Sequence, residues 1–238
     1  MTNQTSTNPL RVEAQHVGFF ETPIAYCRLK DGESLVQELE KSIQKNRAES
    51  GGLQRSNIGG WHSDTDMMVW GGEAANRLSV VAINIAKRMS HFQEASPDVY
   101  DWQLRMWANV TPPGGLNQPH AHPGNLWAAV LYLDMGDEVE SDEDVGGAFY
   151  VEDPRFPMAA MHNTAVRIIG VDGKPQQYEE ELKLERGNIV VFPAWLRHGG
   201  TSLYRQTRAH LYCDEYRCAT QILVQRAVRK LQPSKALS

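Results

Sequence analysis

The chain reads as mainly β with flanking helices, its β portion forming a sandwich or barrel. Two observations predict this class. After Pro97, short apolar or alternating segments follow one another at residues 102–110, 126–133, 148–151, 166–171, 181–184, 189–192 and 208–216, separated by glycine, proline and acidic loops. Before Pro97 the apolar spacing is instead helical, recurring every three or four residues.

The elements follow in order. Residues 1–9 are polar and read as a disordered tail. Residues 17–28 read as a short strand, with Pro23 marking an edge position or a break. From Asp31 onward, Leu35, Leu39 and Ile43 predict a helix that Asp31 or Ser34 caps and Gly51 and Gly52 end. Residues 55–70 have no clean period and read as an ordered loop. Leu78, Val81, Ala82, Ile85, Met89 and Phe92 form one stripe and predict a second helix. A weaker helical pattern from Cys218 to Leu231 closes the chain. The organisation is a single domain over 1–238: helical and loop elaboration over 10–96, a β core over 97–216, and a C-terminal helix and tail over 217–238.

Composition narrows the function classes. The 238 residues are 41% hydrophobic and 22% charged, ordinary for a globular protein. No stretch approaches the roughly 20 apolar residues of a membrane helix. The start, residues 1–8, lacks a basic region followed by an apolar run, so the expectation is a cytoplasmic protein with no membrane partner. Three cysteines, Cys27, Cys213 and Cys218, form no paired framework and fit a reducing compartment. Much of the net charge of −5 sits in residues 134–144, which hold seven acidic residues and no basic one. That run lacks the order of a calcium loop and reads as a solvated loop. With no basic stripe anywhere, nucleic acid is excluded as a partner.

The chemistry concentrates in the β half. Gly114-x5-His120-x-His122 is followed much later by Gly187-x5-Pro193-x4-His198. On an extended strand, residues two apart share a face, so His120 and His122 are expected to present two imidazoles to one divalent ion. His198, from a distant strand, supplies a third ligand and leaves the opposite side open for substrate and oxygen. Jelly-roll proteins commonly carry such sites. His16, His91 and His162 stand outside this pattern and read as structural. Ten positions after His198 comes Arg208, sharing a strand face with His210 and Tyr212. A guanidinium inside a barrel needs an anionic partner, and its planar fork matches a carboxylate. The distal carboxylate of 2-oxoglutarate would be that partner, the alternative being a structural salt bridge or a surface arginine.

With these residues in view, the chain resembles the 2-oxoglutarate/Fe(II) oxygenase family of bacterial and phage proteins, over most of its length. The matching pieces are GFFETPI, SNIGGWHS at Ser56–Ser63, WAN at Trp107–Asn109, NQPHAHPGNLWAAVLYLD, GGAFYVEDPR, and RGNIVVFPAWLRHGGTS followed by Arg208. The resemblance implies a double-stranded β-helix (jelly-roll, cupin-like) core with flanking helices, Fe(II), and 2-oxoglutarate as co-substrate. It also implies a dioxygenase reaction, expected to hydroxylate a small metabolite or amino-acid-like substrate with O2 and to release succinate and CO2.

One departure matters. The wider superfamily carries His-x-Asp or His-x-Glu where this chain has His122. Either His122 replaces the carboxylate, or two histidines and water hold the metal, or a remote carboxylate such as Asp153 completes the set. Strand geometry favours the first. Further candidates are Asn109, Ser202 and His210 for the co-substrate, and Trp61, His62 and Arg155 for the substrate. A cupin-type dioxygenase or isomerase that does not use 2-oxoglutarate is the alternative, since both glycine-to-histidine spacings echo cupins. A non-catalytic metal- or ligand-binding module is a third reading. The C-terminal helix offers a surface for a homodimer.

Overall fold

The structure, a computed structural model, describes residues 13–92, 100–135, 146–155, 165–203, 217–225 and 228–229. Strand β1 (Ala25–Arg28) is followed by helix α1 (Glu33–Glu49), two short strands β2 (Asn57–Ile58) and β3 (Trp61–His62), and helices α2 (Met67–Trp70) and α3 (Gly72–Arg88). Then come β4 (Tyr100–Asp101), β5 (Leu104–Thr111), β6 (Leu116–His120), β7 (Asn125–Met135), β8 (Phe149–Glu152) and β9 (Glu179–Leu182). The chain ends with β10 (Asn188–Pro193), β11 (His198–Gly200), β12 (Arg217–Gln225) and β13 (Val228–Arg229).

Two sheets carry the architecture. The larger runs β1-β10-β7-β12-β5-β3 and the smaller β2-β6-β11-β8-β9. The strand pairings described within both are antiparallel, and they interleave strands distant in sequence, as in a double-stranded β-helix. Side-chain alternation in the larger sheet feeds two cores at once. Met106, Ala108 and Val110 of β5, with Trp127, Ala129, Leu131 and Leu133 of β7, pack against Leu39 and Ile43 of α1 and Leu78 and Ala82 of α3. The opposite face sends Trp107, Ala128, Val130, Tyr132, Val190 and Phe192 toward Phe149 and Val151 of the smaller sheet. The central strands β7 and β10 therefore read as nearly continuous apolar runs, because both their faces are buried.

The two long helices cover the predicted stripes, except that Met89 and Phe92 lie past the end of α3 and Gly32, not Asp31 or Ser34, is the cap of α1. Arg186 ties α1 to the sheet, contacting Glu33 and Glu40 of that helix and the Leu133 carbonyl of β7.

Three expectations need correction. Residues 217–225 form β12, not the start of a helix, and lie between β5 and β7. The run around Thr220, Ile222, Leu223 and Val224 is buried on both faces, and such a run does not distinguish helix from strand by its period. The homodimer surface expected on a C-terminal helix loses its basis over these residues, and the β core extends past residue 216. Second, residues 55–70 are not simply a loop, since β2 and β3 add a strand to each sheet and α2 follows. Third, residues 166–171 are not a strand. Val166 and Ile168 are exposed, and the segment turns back on itself through Gly170 and Lys174 with a single bridge, Ile169 to Pro175. An apolar run without a neighbouring sheet has nothing to pair with. The strand expected over 208–216 lies outside the described residues, as does most of the acidic run at 134–144.

Candidate metal centre

β6 and β11 are paired so that His120 lies directly opposite His198. Neighbouring antiparallel strands bring opposed side chains to about 5 Å, which is chelating distance for two imidazoles. β6 ends at His120, so His122 belongs to the following turn rather than to the strand itself. Its backbone N–H donates to the Ala194 carbonyl at 2.8 Å, and Gly124, at φ +85°, completes the reversal into β7. The convergence expected from strand alternation is therefore achieved by a strand end and a turn. Ring centroids lie 4.8 Å apart for His120–His122, 4.4 Å for His120–His198 and 5.1 Å for His122–His198. One ring nitrogen from each falls within 4.8 Å of the others, close enough to share an ion.

The ring environments suit metal binding. Nδ1–H of His120 donates to the Gln118 carbonyl at 2.7 Å, and Nδ1–H of His198 to the Leu196 carbonyl at 2.9 Å. Each bond fixes a tautomer and leaves Nε2 with its lone pair free. Nε2 of His198 is buried with no partner among the described residues. A buried acceptor left unmade costs free energy, and a bound cation answers it. Burial, then the neighbouring His120, pushes His122 down to about 4, and the same causes push His198 down to about 3. Burial lowers His120 as well. Three neutral imidazoles at neutral pH are what a ferrous ion requires of nitrogen ligands. Phe149 and Phe192 flank His198, with centroids 5.7 and 4.6 Å away, and keep water from that side.

Beside His198 lies a cavity of about 50 Å³ between the sheets, lined by Asn109, Thr111, Asn117, Tyr132 and Thr201 among others. Among the described residues, Asn109 is buried with both amide atoms unpartnered, and Asn117 Oδ1 is likewise unmet. Thr111, Asn117, Tyr132 and Thr201 were not singled out from the sequence, although alternation along β5 puts Trp107, Asn109 and Thr111 on one face.

The remaining candidates separate. His62 is buried, paired opposite Asn109, and stacked on Trp107 at 5.6 Å. Trp61 turns the other way: it packs with the helical core and donates its Nε1–H to the Ser50 carbonyl, so it does not face the histidines. Arg155 is engaged by Asp153 and Gln176 on the outside of the smaller sheet. Asp153, bound to Arg155, is outside the histidine cluster and does not complete it. The Ser202 carbonyl accepts from Gly147, and its neighbour Thr201 is the one that lines the cavity. Arg208, His210 and His162 lie outside the described residues. His16 and His91 are exposed and distant from the cluster.

Comparison with known proteins agrees with this geometry. Residues 105–209 match a family model described as "Putative 2OG-Fe(II) oxygenase". HygX from Streptomyces hygroscopicus, solved with nickel and 2-oxoglutarate bound, superposes at a TM-score of 0.52 with 13% identity, covering 86% of this chain and 83% of that one. The α-ketoglutarate-dependent epimerase SnoN from nogalamycin biosynthesis gives 0.54 and 13%, over 87% and 79% of the two chains. The carbocyclase SnoK of the same biosynthesis gives 0.54 and 11%, over 88% and 83%. At these identities the likeness establishes the double-stranded β-helix fold. A search of curated proteins finds no match to the sequence. No helix among the described residues is long and apolar enough to cross a membrane.

Proposed function

We propose, from the premise that residues 105–209 belong to the 2-oxoglutarate/Fe(II) oxygenase family, that this protein hydroxylates a small metabolite or amino-acid-like substrate, with His120, His122 and His198 holding the iron. The observation that carries this reading is the convergence of three neutral imidazoles beside a cavity whose buried amide has no partner. Fe(II) with 2-oxoglutarate supplies oxidative decarboxylation: O2, 2-oxoglutarate and a C–H substrate give succinate, CO2 and the alcohol.

The protein's part is binding and orientation. Nδ1 bonds to Gln118 and Leu196 hold two ligand rings so that Nε2 faces the ion. The cavity seats the co-substrate, the Asn109 amide donating to a carboxylate oxygen that water cannot reach. Arg208 pairs with the distal carboxylate, assisted by His210 and the Ser202 region. His62 is the one substrate-side candidate that keeps a place near the cluster; Arg155 has its charge met by Asp153. All three ligands being neutral, the site carries one more positive charge than a His-x-Asp site, which favours a dianionic co-substrate. The cysteine count supports a reducing, cytoplasmic setting.

The test is succinate release under air with Fe(II), 2-oxoglutarate and a panel of amino-acid-like compounds. Succinate that depends on both additions and disappears in His198→Ala is expected. Metal retention without any 2-oxoglutarate consumption, with or without substrates, would favour the cupin-type alternative.

A further inference from the structure

Two of the three clustered histidines have a ring nitrogen tied to a carbonyl, His120 to Gln118 and His198 to Leu196. His122 does not. Its backbone is anchored to Ala194, but among the described residues no hydrogen bond to its ring is found. An imidazole can turn broadly about its last side-chain torsion, so an unanchored ring presents its nitrogen in no fixed direction. Such outer contacts usually matter nearly as much as the ligands.

What does meet the His122 ring is aromatic. Trp107 packs against it at 5.7 Å, with planes 68° apart, and Trp107 is itself stacked on His62 at 5.6 Å and 12°. Both are deeply buried, each 5% exposed. His62 is held firmly for a residue on a two-residue strand. It pairs with Asn109, its carbonyl accepts from Leu53 at 2.7 Å, and its Nδ1 contacts the Ser63 carbonyl. Ser63 then donates its N–H to the Ala108 carbonyl at 3.0 Å and accepts the Ala108 N–H at its Oγ at 3.0 Å, which locks the end of β3 to β5 at the residue next to Trp107.

The geometry points to His62 and Trp107 as a positioning pair: stacked together, they set the ring plane of His122 in place of the carbonyl that orients His120 and His198. This rests on the three-histidine reading of the metal site. The aromatic contact acts through shape, so a flat ring at position 62 suffices and its nitrogens are dispensable.

Co(II) titration of the metal-free protein, followed by visible absorption, tests this alongside thermal unfolding of each metal-free variant. His62→Ala and Trp107→Leu are expected to weaken Co(II) binding by about 10–100-fold, the usual effect of losing an orienting contact. His62→Phe is expected to retain the parent affinity. Trp107→Phe, a milder change, should shift in the same direction as Trp107→Leu by less, and serves if the latter does not fold. Lowered unfolding midpoints with unchanged Co(II) affinity would mean a purely structural stack and would overturn the proposal. So would His62→Phe binding as weakly as His62→Ala. His120→Ala is the control: if it too binds Co(II) like the parent, the three-histidine site itself is wrong, whereas its loss beside intact His62→Ala binding isolates the failure to the stack.

Discussion

His122 is where this chain departs from the ligand set of the superfamily it resembles, and its substitution separates the ways a metal can be held. As a full ligand, His122→Ala should lose Fe(II) retention and turnover as completely as His120→Ala or His198→Ala, measured by metal content after desalting. His122→Asp should restore measurable Fe(II) binding, since a carboxylate suits the ion equally. Retention of iron by His122→Ala at the parent level would point to two histidines and water, now that Asp153 is committed to Arg155. The same imidazoles couple stability to pH. Burial holds His198 near 3 and His122 near 4, below the roughly 6.5 of an imidazole in the unfolded chain. Between those values the unfolded chain binds protons that the native state does not. The metal-free protein should therefore hold this contribution in full above about pH 6.5 and lose it as pH falls toward 4. Denaturant unfolding at pH 7.5 and 5 measures it, and His198→Leu should flatten the difference. Equal stability at both pH values in the parent would contradict the burial of neutral rings. Asn109, with both amide atoms unmet among the described residues, makes a separate prediction: Asn109→Leu should weaken 2-oxoglutarate binding by about 10–100-fold, the worth of one hydrogen bond to a charged group, by calorimetry.

Strand β11 is three residues long, yet it carries His198 and tolerates almost no change beside it. A Cβ at Gly199 would sit 2.6 Å from the Tyr150 hydroxyl and 2.9 Å from the Asn117 carbonyl oxygen. The tyrosine ring could move, but the backbone oxygen of β6 cannot without breaking the pairing that aligns His120. Gly199→Ala should cost about 1–3 kcal/mol and lower Tm by roughly 2–4 °C per kcal/mol. Differential scanning calorimetry checks this, and an unchanged Tm would mean the two strands are less tightly set than described. At this scale the sequence was legible where one face of an element meets solvent. The stripes of α1 and α3 follow from periodicity. It was not legible where both faces are buried, as in β12, whose run around Ile222 and Val224 mimics a helix, or where pairing rests on two residues, as in β2 and β3. The apolar run at 166–171 failed for the converse reason: propensity alone supplies no partner strand.

For the molecule as a whole, the helical layer and the smaller sheet divide the labour. α1 and α3 bury the outer face of the larger sheet, which frees its inner face to carry Asn109, Val130 and Tyr132 toward the cavity. The smaller sheet contributes His120 and His198 across one antiparallel pair. The clustering of His120, His122 and His198 was legible from His-x-His and the distant Pro-x4-His, because those spacings suit chelation. The cavity lining was not, since Thr111, Asn117, Tyr132 and Thr201 come from several strands and share no local spacing. On the proposed function, iron at the three histidines and 2-oxoglutarate in the adjoining cavity form one site. Anaerobic titration of 2-oxoglutarate into the Fe(II)-loaded protein, followed by the visible absorption of the iron–co-substrate chelate, tests it most directly. A saturable band that is lost in His198→Ala and needs more 2-oxoglutarate in Asn109→Leu is the predicted result; the absence of any band from the iron-loaded parent, or an identical band in His198→Ala, would contradict it.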